Sequence, residues 1–323
     1  MSKPFSWEKL GKVFDPTTIT GRPWLKAFAQ APSTLELADA IRIFFSCRPD
    51  ADEKGQYVSY SAWVDLDKAD LYRIKAIANR PVLELGARGT FDEFGTYPIS
   101  VIEVNGVTHA YYAGWTRCES VPFNVAIGAA TSEDGGATFN KLGAGPVLSY
   151  TPNEPFVLSG PKIRRFHDTW YLFYIAGTQW KLVDSRPEPV YKIRLATSKD
   201  GLNWHKLNKN LIESVVEPDE AQASPDVFYA NGGYHMFFCY RYSTHYRGHE
   251  RGYRIGYAYS NDLLNWHRDD SRAGITVSDQ GWDSEMISYP HVFAHDGSIY
   301  MAYLGNQVGR CGFGLARLEG DLL

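Results

Sequence analysis

The chain lacks most of the features that would assign it a function directly. None of its apolar runs comes near the ~20 residues that a membrane-spanning helix requires, and the opening MSKPFSWEKLGK has no secretory h-region. The expectation is a cytoplasmic chain with no membrane partner. There is no basic excess either, because 33 Lys and Arg stand against 37 Asp and Glu, a net charge of -4. Nucleic acid, whose binding depends on a positive field, is therefore not an expected partner. Cys47, Cys118, Cys239 and Cys311 lie far apart with no C-x-x-C pair, which argues against a zinc site or a disulfide framework. They read as buried, reduced thiols. His245 and His249 are four apart but sit in a glycine-containing loop, so they make no helical metal pair. No cofactor is expected. Long runs with helical period are missing as well, and so are WD-type repeat signatures.

What the chain does have is aromatics, 15% of all residues, in short stretches between turn signals. DAIRIFFSC, THAYYAGW, TWYLFYIAG, GYHMFFCY and SIYMAYLG mix β-branched and aromatic residues as strands do. The chain reads as all-β. The stretches also recur. Pro32, Pro98, Pro161, Pro225 and Pro290 are spaced by 66, 63, 64 and 65 residues, and after each come an apolar strand, a turn and one aromatic strand. Three repeats continue through a third strand into the turns SEDGGATF, SKDGLNW and SNDLLNW. Four strands per repeat, five times over, predict a five-bladed β-propeller, one domain over 1–323 with blades starting near residues 31, 96, 159, 223 and 288. The last repeat ends after CGFGLARL without its fourth strand, while FSWEKLGKVF at residues 5–14 matches the missing Trp-x-Lys-Leu pattern. The N-terminal strand is therefore expected to complete the last blade and close the ring.

Alternating strand direction puts the starts of the first strands and the ends of the second strands on one face. That face should receive Glu93, Glu220 and Glu285, each five residues before a repeat proline, together with Asp92, Asp219 and Asp226. Arg48, Trp115, Arg241 and Asn306 should arrive there from the second strands, and Arg247, Arg251 and Arg254 from the loop RYSTHYRGHERGYR. A funnel of carboxylates, guanidinium groups and aromatics suits a polar or anionic sugar, or a nucleotide sugar, because rings stack on pyranose faces and arginine pairs with carboxylate or phosphate. Trp115 and Trp180 read either as stacking platforms or as packing between blades. Asp134, Asp200 and Asp262 cap their turns and are assigned to folding.

The turn SEDGGATF is similar to the structural Asp box of sialidases. The five repeats, the closing N-terminal strand and the ATSKDGLNW turn resemble the five-bladed propeller glycosidases of glycoside hydrolase families 43, 32, 68, 62 and 130. ASPDVF is similar to the APDV stretch of family 43, and His291 in YPHVF is placed like the histidine that helps hold a central calcium there. The resemblance therefore implies a structural calcium near His291, while a histidine packed in the channel is the other reading. QAPST stands where family 43 has its DP motif, SGP where it has its EGP-like motif, and the family 32 NDPNG and RDP motifs are missing. The closing stretch, SEMISYPHVF through YMAYLGNQVGRCGFGLA, resembles glycosidase-like propellers associated with surface-polysaccharide synthesis.

Hydrolysis of a glycoside uses one protonated and one ionised carboxyl group. Glu285, next to Trp282 and Met286, is the expected acid, and Glu220 or Asp226 the expected base or nucleophile. Glu93, Asp92, Arg48, Trp115, Arg241, Arg251, Arg254, His291 and Asn306 are the expected substrate contacts. The alternative is a non-catalytic, lectin-like or degenerate propeller that binds sugar. A protein-interaction scaffold is a third class, disfavoured by the dense charge of the face.

Overall fold

The computed structural model describes residues 5–322, so residues 1–4 and 323 of the predicted span lie outside the described residues. Strand β1 (Ser6–Phe14) precedes four complete blades. Blade 1 is β2 (Ala27–Glu36), β3 (Ala40–Arg48), β4 (Tyr60–Asp67) and β5 (Asp70–Ile77); blade 2 is β6 (Gly95–Val104), β7 (Val107–Thr116), β8 (Asn124–Ser132) and β9 (Asn140–Lys141). Blade 3 is β10 (Phe156–Phe166), β11 (Thr169–Val183), β12 (Arg186–Ser198) and β13 (His205–Lys206); blade 4 is β14 (Ala221–Ala230), β15 (Gly233–Arg241), β16 (Arg254–Ser260) and β17 (His267–Arg268). Blade 5 combines β18 (Ser288–His295), β19 (Ser298–Leu304) and β20 (Phe313–Glu319) with β1 on its outer edge. Trp7 lies opposite Leu318 and Phe14 opposite Phe313, so the N-terminal strand closes the ring. The inner strands β2, β6, β10, β14 and β18 touch in sequence, the last returning to the first. No helix among the described residues is long and apolar enough to cross a membrane.

Each repeat proline marks a bulge in an inner strand. The pairing skips between Gln30 and Ser33, Thr96 and Ile99, Ser159 and Lys162, Ala223 and Asp226, and Ser288 and His291. Proline has no N–H to give a ladder, so the unpaired position of a bulge suits it. Just past the bulges, the inner edges face the axis with backbone groups that no sixth sheet can pair. Side chains of the adjacent blade supply the partners. Ser33 Oγ accepts from Val101 N (3.2 Å), Ser100 Oγ from Ile163 N (3.1 Å), Asp226 Oδ2 from Val292 N, and His291 Nε2 from Thr34 N (3.0 Å). Arg164 Nε donates to Val227 O (2.8 Å) at the remaining seam, and Lys162 Nζ reaches Pro32 O (2.8 Å). A belt of polar contacts thus runs through all five seams and fills the channel.

A second device repeats at the outer edge. The aromatic of each Trp-x-Lys-type strand packs on the second strand of the preceding blade: Phe139 on Phe44, Trp204 on Tyr111, Trp266 on Phe173 and Trp7 on Phe237, with ring centroids 5.3–6.3 Å apart. Two residues later a cation turns inward to a buried carboxylate of its own blade. These pairs are Lys141 with Asp92 (2.5 Å), Lys206 with Glu154, Arg268 with Glu220 (2.6 Å) and Lys9 with Asp283 (2.7 Å). Tyrosine hydroxyls of the second strands, Tyr112, Tyr174 and Tyr303, donate to three of these acids. The serine-aspartate turns are capped as expected. Asp134, Asp200 and Asp262 each accept from a serine two residues earlier and from backbone N–H groups ahead.

Two cysteines depart from expectation. Cys47 and Cys239 are buried, but Cys118 and Cys311 are exposed, because both lie in loops between second and third strands, Cys118 just past β7 and Cys311 just before β20.

Two outcomes follow for stability. Removal of residues 1–14 uncovers β20 as a free edge, and size-exclusion chromatography should show aggregation where the full chain elutes as a defined species. Glu220→Ala leaves the buried Arg268 with Asp270 alone and takes the acceptor from Val215 N and Val216 N; it should cost about 3–5 kcal/mol of folding free energy, read as a reduced denaturant midpoint, and Glu285→Ala should leave that midpoint unchanged.

Candidate functional site

The funnel face is built from the segments that enter the inner strands and from the loops between second and third strands. The structure sorts the expected site residues into those that remain open to a ligand and those held by the fold. Glu220 is fully buried. Its Oε1 meets Arg268 (2.6 Å) and Gln222 Nε2 (2.9 Å), and its Oε2 accepts from Val215 N and Val216 N (both 3.1 Å). Both oxygens are saturated, so Glu220 is a clamp of blade 4 rather than an accessible base. Asp92 has the same role in blade 2, accepting from Tyr112, Lys141 and Thr90.

Asp226 and His291 belong to the axial belt, below the funnel. Asp226 is fully buried between Arg164, Val292 N and, at 3.5 Å, His291 Nδ1. Burial alone would raise its carboxyl, but Arg164, His291 and Lys162 hold it well below the usual carboxylate range. Burial pushes the His291 imidazole down to about 4 against the pull of Asp226, and it pushes the Lys162 ammonium down to about 8. The His291 surroundings do not fit a calcium ion: Nε2 is taken by Thr34, the ammonium of Lys162 stands 3.2 Å from Nδ1, and no three His, Cys, Asp or Glu side chains among the described residues could hold a metal.

Arg241 is also withdrawn. Its guanidinium is buried over Tyr246 (3.5 Å), Tyr191 and Tyr253, and donates to Tyr253 Oη (3.1 Å), Tyr242 O (2.8 Å), Pro189 O (2.9 Å) and Tyr191 Oη (3.2 Å). Arg251 pairs with Glu217 (3.2 Å), Arg247 with Glu188 (2.7 Å), and Asp219 with Lys181 (2.6 Å). Glu188 and Lys181 stand on an extension of the β11–β12 hairpin, whose pairing continues to Val183 and Arg186 and forms a wall beside the 242–254 loop. The sequence reading did not anticipate that extension; Asp-Ser at its tip, both residues in left-handed φ, was the available signal.

Glu285 is exposed, and its carboxylate has no hydrogen-bond or ion-pair partner among the described residues. The loop that carries it is fixed from both sides. Asn306 Oδ1 accepts from Glu285 N (2.8 Å) and Met286 N (3.3 Å), while Asn306 Nδ2 donates to Gly281 O (3.0 Å). Arg254 Nη1 donates to Glu285 O (3.0 Å) and Nη2 to His249 O (2.6 Å). The structure thus brings Glu285, Arg254 and Asn306 together, the last two as supports of the first. The apolar setting expected around Glu285 is absent, since Met286 is buried away beneath it.

Glu93 is partly exposed on the blade 2 rim, where Oε2 closes a turn by accepting from Gly89 N (2.8 Å). Trp115 is one of a partly exposed aromatic row. Phe94 and Phe123 lie 6.1 and 6.5 Å from Trp115, and Trp180 lies 5.4 Å from Phe123. Arg48 lies in the seam between blades 1 and 2 with Phe28, Tyr57 and Tyr97. Tyr289 and Val308, both partly buried, pack against the core of blades 3 and 4 and against that of blades 5 and 1. Val308 sits at φ +55°, an unfavourable conformation for a β-branched residue, with its carbonyl held by Gln30 Nε2 (2.8 Å). A separate concavity lined by Trp7, Lys9 and 274–280 lies at the outer rim of blade 5, where the Lys9 ammonium is already paired with Asp283.

The depressed imidazole gives a pH test. An unfolded chain takes up the His291 proton near the ordinary value of 6.5, whereas the folded chain refuses it down to about 4. Stability contributed by the neutral ring is therefore present above 6.5 and fades as pH falls through that window. The melting temperature should decline from pH 6.5 to 4, and His291→Asn should flatten the decline; an unaltered slope would count against this assignment.

No family profile matches the chain. The solved structures it resembles include a glycoside hydrolase (TM-score 0.74, 17% identity, covering 96% of this chain and 91% of the other) and a thermostable family-43 glycoside hydrolase (TM-score 0.65, 14% identity, 96% and 93%). They also include a β-1,2-mannobiose phosphorylase from Listeria innocua in complex with β-1,2-mannobiose (TM-score 0.68, 11% identity, 97% and 96%). In sequence, a 1,2-β-oligomannan phosphorylase of Thermoanaerobacter sp. is 26% identical over 257 residues, 77% of this chain and 78% of its own. The uncharacterized protein Rv1502 of Mycobacterium tuberculosis is 35% identical over 314 residues, 97% of this chain and 99% of its own. With that identity across nearly the whole of both chains, the protein belongs to the family of the mycobacterial protein, on a five-bladed propeller fold shared with glycoside hydrolases and phosphorylases.

Proposed function

We propose that the protein is a carbohydrate-active enzyme that cleaves a glycosidic bond at the mouth of the funnel, with Glu285 delivering the proton to the leaving oxygen. The observation that carries this reading is the free Glu285 carboxylate on a backbone fixed by Asn306 and Arg254. A carboxyl group held this way meets the positional demand of general acid catalysis. Trp115 and its aromatic neighbours offer the stacking surface for a sugar ring. The resemblance to glycoside hydrolases and phosphorylases supports the same class of chemistry.

Hydrolysis also asks for a second accessible carboxylate to activate water. Glu220 and Asp226 are enclosed, which leaves Glu93. Phosphorolysis is the second reading, and the enclosure of those two acids favours it. An attacking phosphate brings its own nucleophilic oxygen, so only the proton donor must come from the chain. The likeness to the oligomannan phosphorylase supports it too.

The experiment is a turnover screen of aryl glycosides and β-linked oligosaccharides, with and without inorganic phosphate. Free sugar supports hydrolysis, and sugar 1-phosphate formed only with phosphate supports phosphorolysis. Sugar binding without turnover under either condition supports the non-catalytic, lectin-like alternative. With an active substrate in hand, Glu285→Gln should lower kcat by about 10²–10⁴-fold with an unchanged melting temperature; near-normal turnover would remove Glu285 from the mechanism.

A further inference from the structure

The seam between blades 1 and 2 gathers positive charge that the chain does not neutralise. Arg48 is the last residue of β3, so its side chain emerges at the funnel face. Its guanidinium carbon lies 4.7 Å from the Phe28 ring centre, 5.5 Å from that of Tyr97 and 5.7 Å from that of Tyr57. Its one hydrogen bond runs from Nη2 to Tyr97 Oη (3.1 Å), and its Nε is shut off from solvent without a partner. The exposed Arg310 lies 5.8 Å from the same Phe28 ring. Neither arginine is paired with a carboxylate among the described residues. By contrast, Arg247 and Arg251 have their acids, and Arg254 gives its donors to carbonyl oxygens.

The same seam holds hydroxyl groups without partners. Ser46, two residues before Arg48 and therefore on the same face of β3, is 1% exposed, Ser59 is 1% exposed and Thr96 is fully buried. All three oxygens lack a hydrogen bond. Polar groups left unsatisfied in the interior are unfavourable, so these hydroxyls, on the strand that carries Arg48 and on the paired 59 and 96 segments beside it, mark the seam as a place for a polar occupant. Phe28 reinforces the reading. It adopts φ +69°, strained for a residue with a side chain, and is held there by its N–H to Arg310 O (2.9 Å).

We infer that this seam is a subsite for an acidic sugar, whose carboxylate is received by the Arg48 guanidinium with Arg310 beside it and whose ring lies against the Phe28, Tyr57 and Tyr97 aromatics. A planar guanidinium matches a carboxylate through two parallel hydrogen bonds, and the aromatic faces suit the C–H surface of the ring. The inference deepens the proposed function, naming the substrate class of the same funnel, but its test is independent of turnover.

Ligand-observed NMR and calorimetry with methyl glucuronide against methyl glucoside, and methyl galacturonide against methyl galactoside, read the preference directly. At low salt at least one acidic member should bind about tenfold tighter than its neutral counterpart. Arg48→Gln should abolish that difference, and Arg310→Gln, at an exposed position, should reduce it; circular dichroism should stay unchanged in both. Glu285→Gln should leave it intact, which separates this inference from the catalytic proposal. Equal affinity for acidic and neutral sugars, a preference that survives both arginine substitutions, or binding of inorganic phosphate alone would overturn the assignment.

Discussion

The buried carboxylate clamp is the contact on which the blades depend. A propeller blade has to attach the segment that approaches the axis to the strand that leaves at the rim, although the two are separated by the whole width of the sheet. Asp92, Glu154, Glu220 and Asp283 make that attachment to Lys141, Lys206, Arg268 and Lys9. Such a pair in a dry interior is held by geometry as much as by charge, and losing one partner leaves the other without compensation. Blade 1 is the exception. The segment that leads into its inner strand carries Asp15, which pairs with Lys12 three residues earlier, and the blade is instead anchored by Arg22, which donates to Ala78 O (2.8 Å), and by apolar contacts around Leu25, Phe45 and Phe14.

With clamps at the rim and a polar belt at the axis, the charged groups of the protein divide into two populations. Most carboxylates near the funnel face serve the scaffold, and few are left to meet a ligand. Glu285 is distinguished less by what surrounds it than by what does not: its neighbours hold the backbone and leave the carboxylate free. The arginines show the same division, with Arg241 enclosed by tyrosines and Arg48 left half open over Phe28.

The architecture was legible in the sequence because it is periodic. A proline every 63–66 residues and a Trp-x-Lys-Leu pattern displaced to the N-terminus gave the blades, their order and the closing strand. The roles of individual acids were not legible, since they are decided by partners remote in sequence. Glu220 meets Arg268 across 48 positions, and Asp226 meets Val292 across 66. In the sequence, Glu220 and Glu285 share a register relative to the repeat proline, yet one faces inward to a cation and the other outward. The cations of the Trp-x-Lys pattern were the missed clue. A basic residue repeated on a strand whose neighbours are buried requires an acid repeated somewhere else in the blade.

The closing strand also has a bearing on how the chain is made. Ser6 lies opposite Glu319 in the finished sheet, so β1 has to wait, its edge unsatisfied, until β20 has been synthesised. Four blades can assemble in order of emergence, each around local hairpins, whereas the fifth joins β1 to the distant β20 and carries the largest loop-closure entropy of the five. The waiting strand carries Lys9, Lys12 and Gly11 in its middle, charges and a flexible joint that discourage pairing with a neighbouring nascent chain before its own partner arrives.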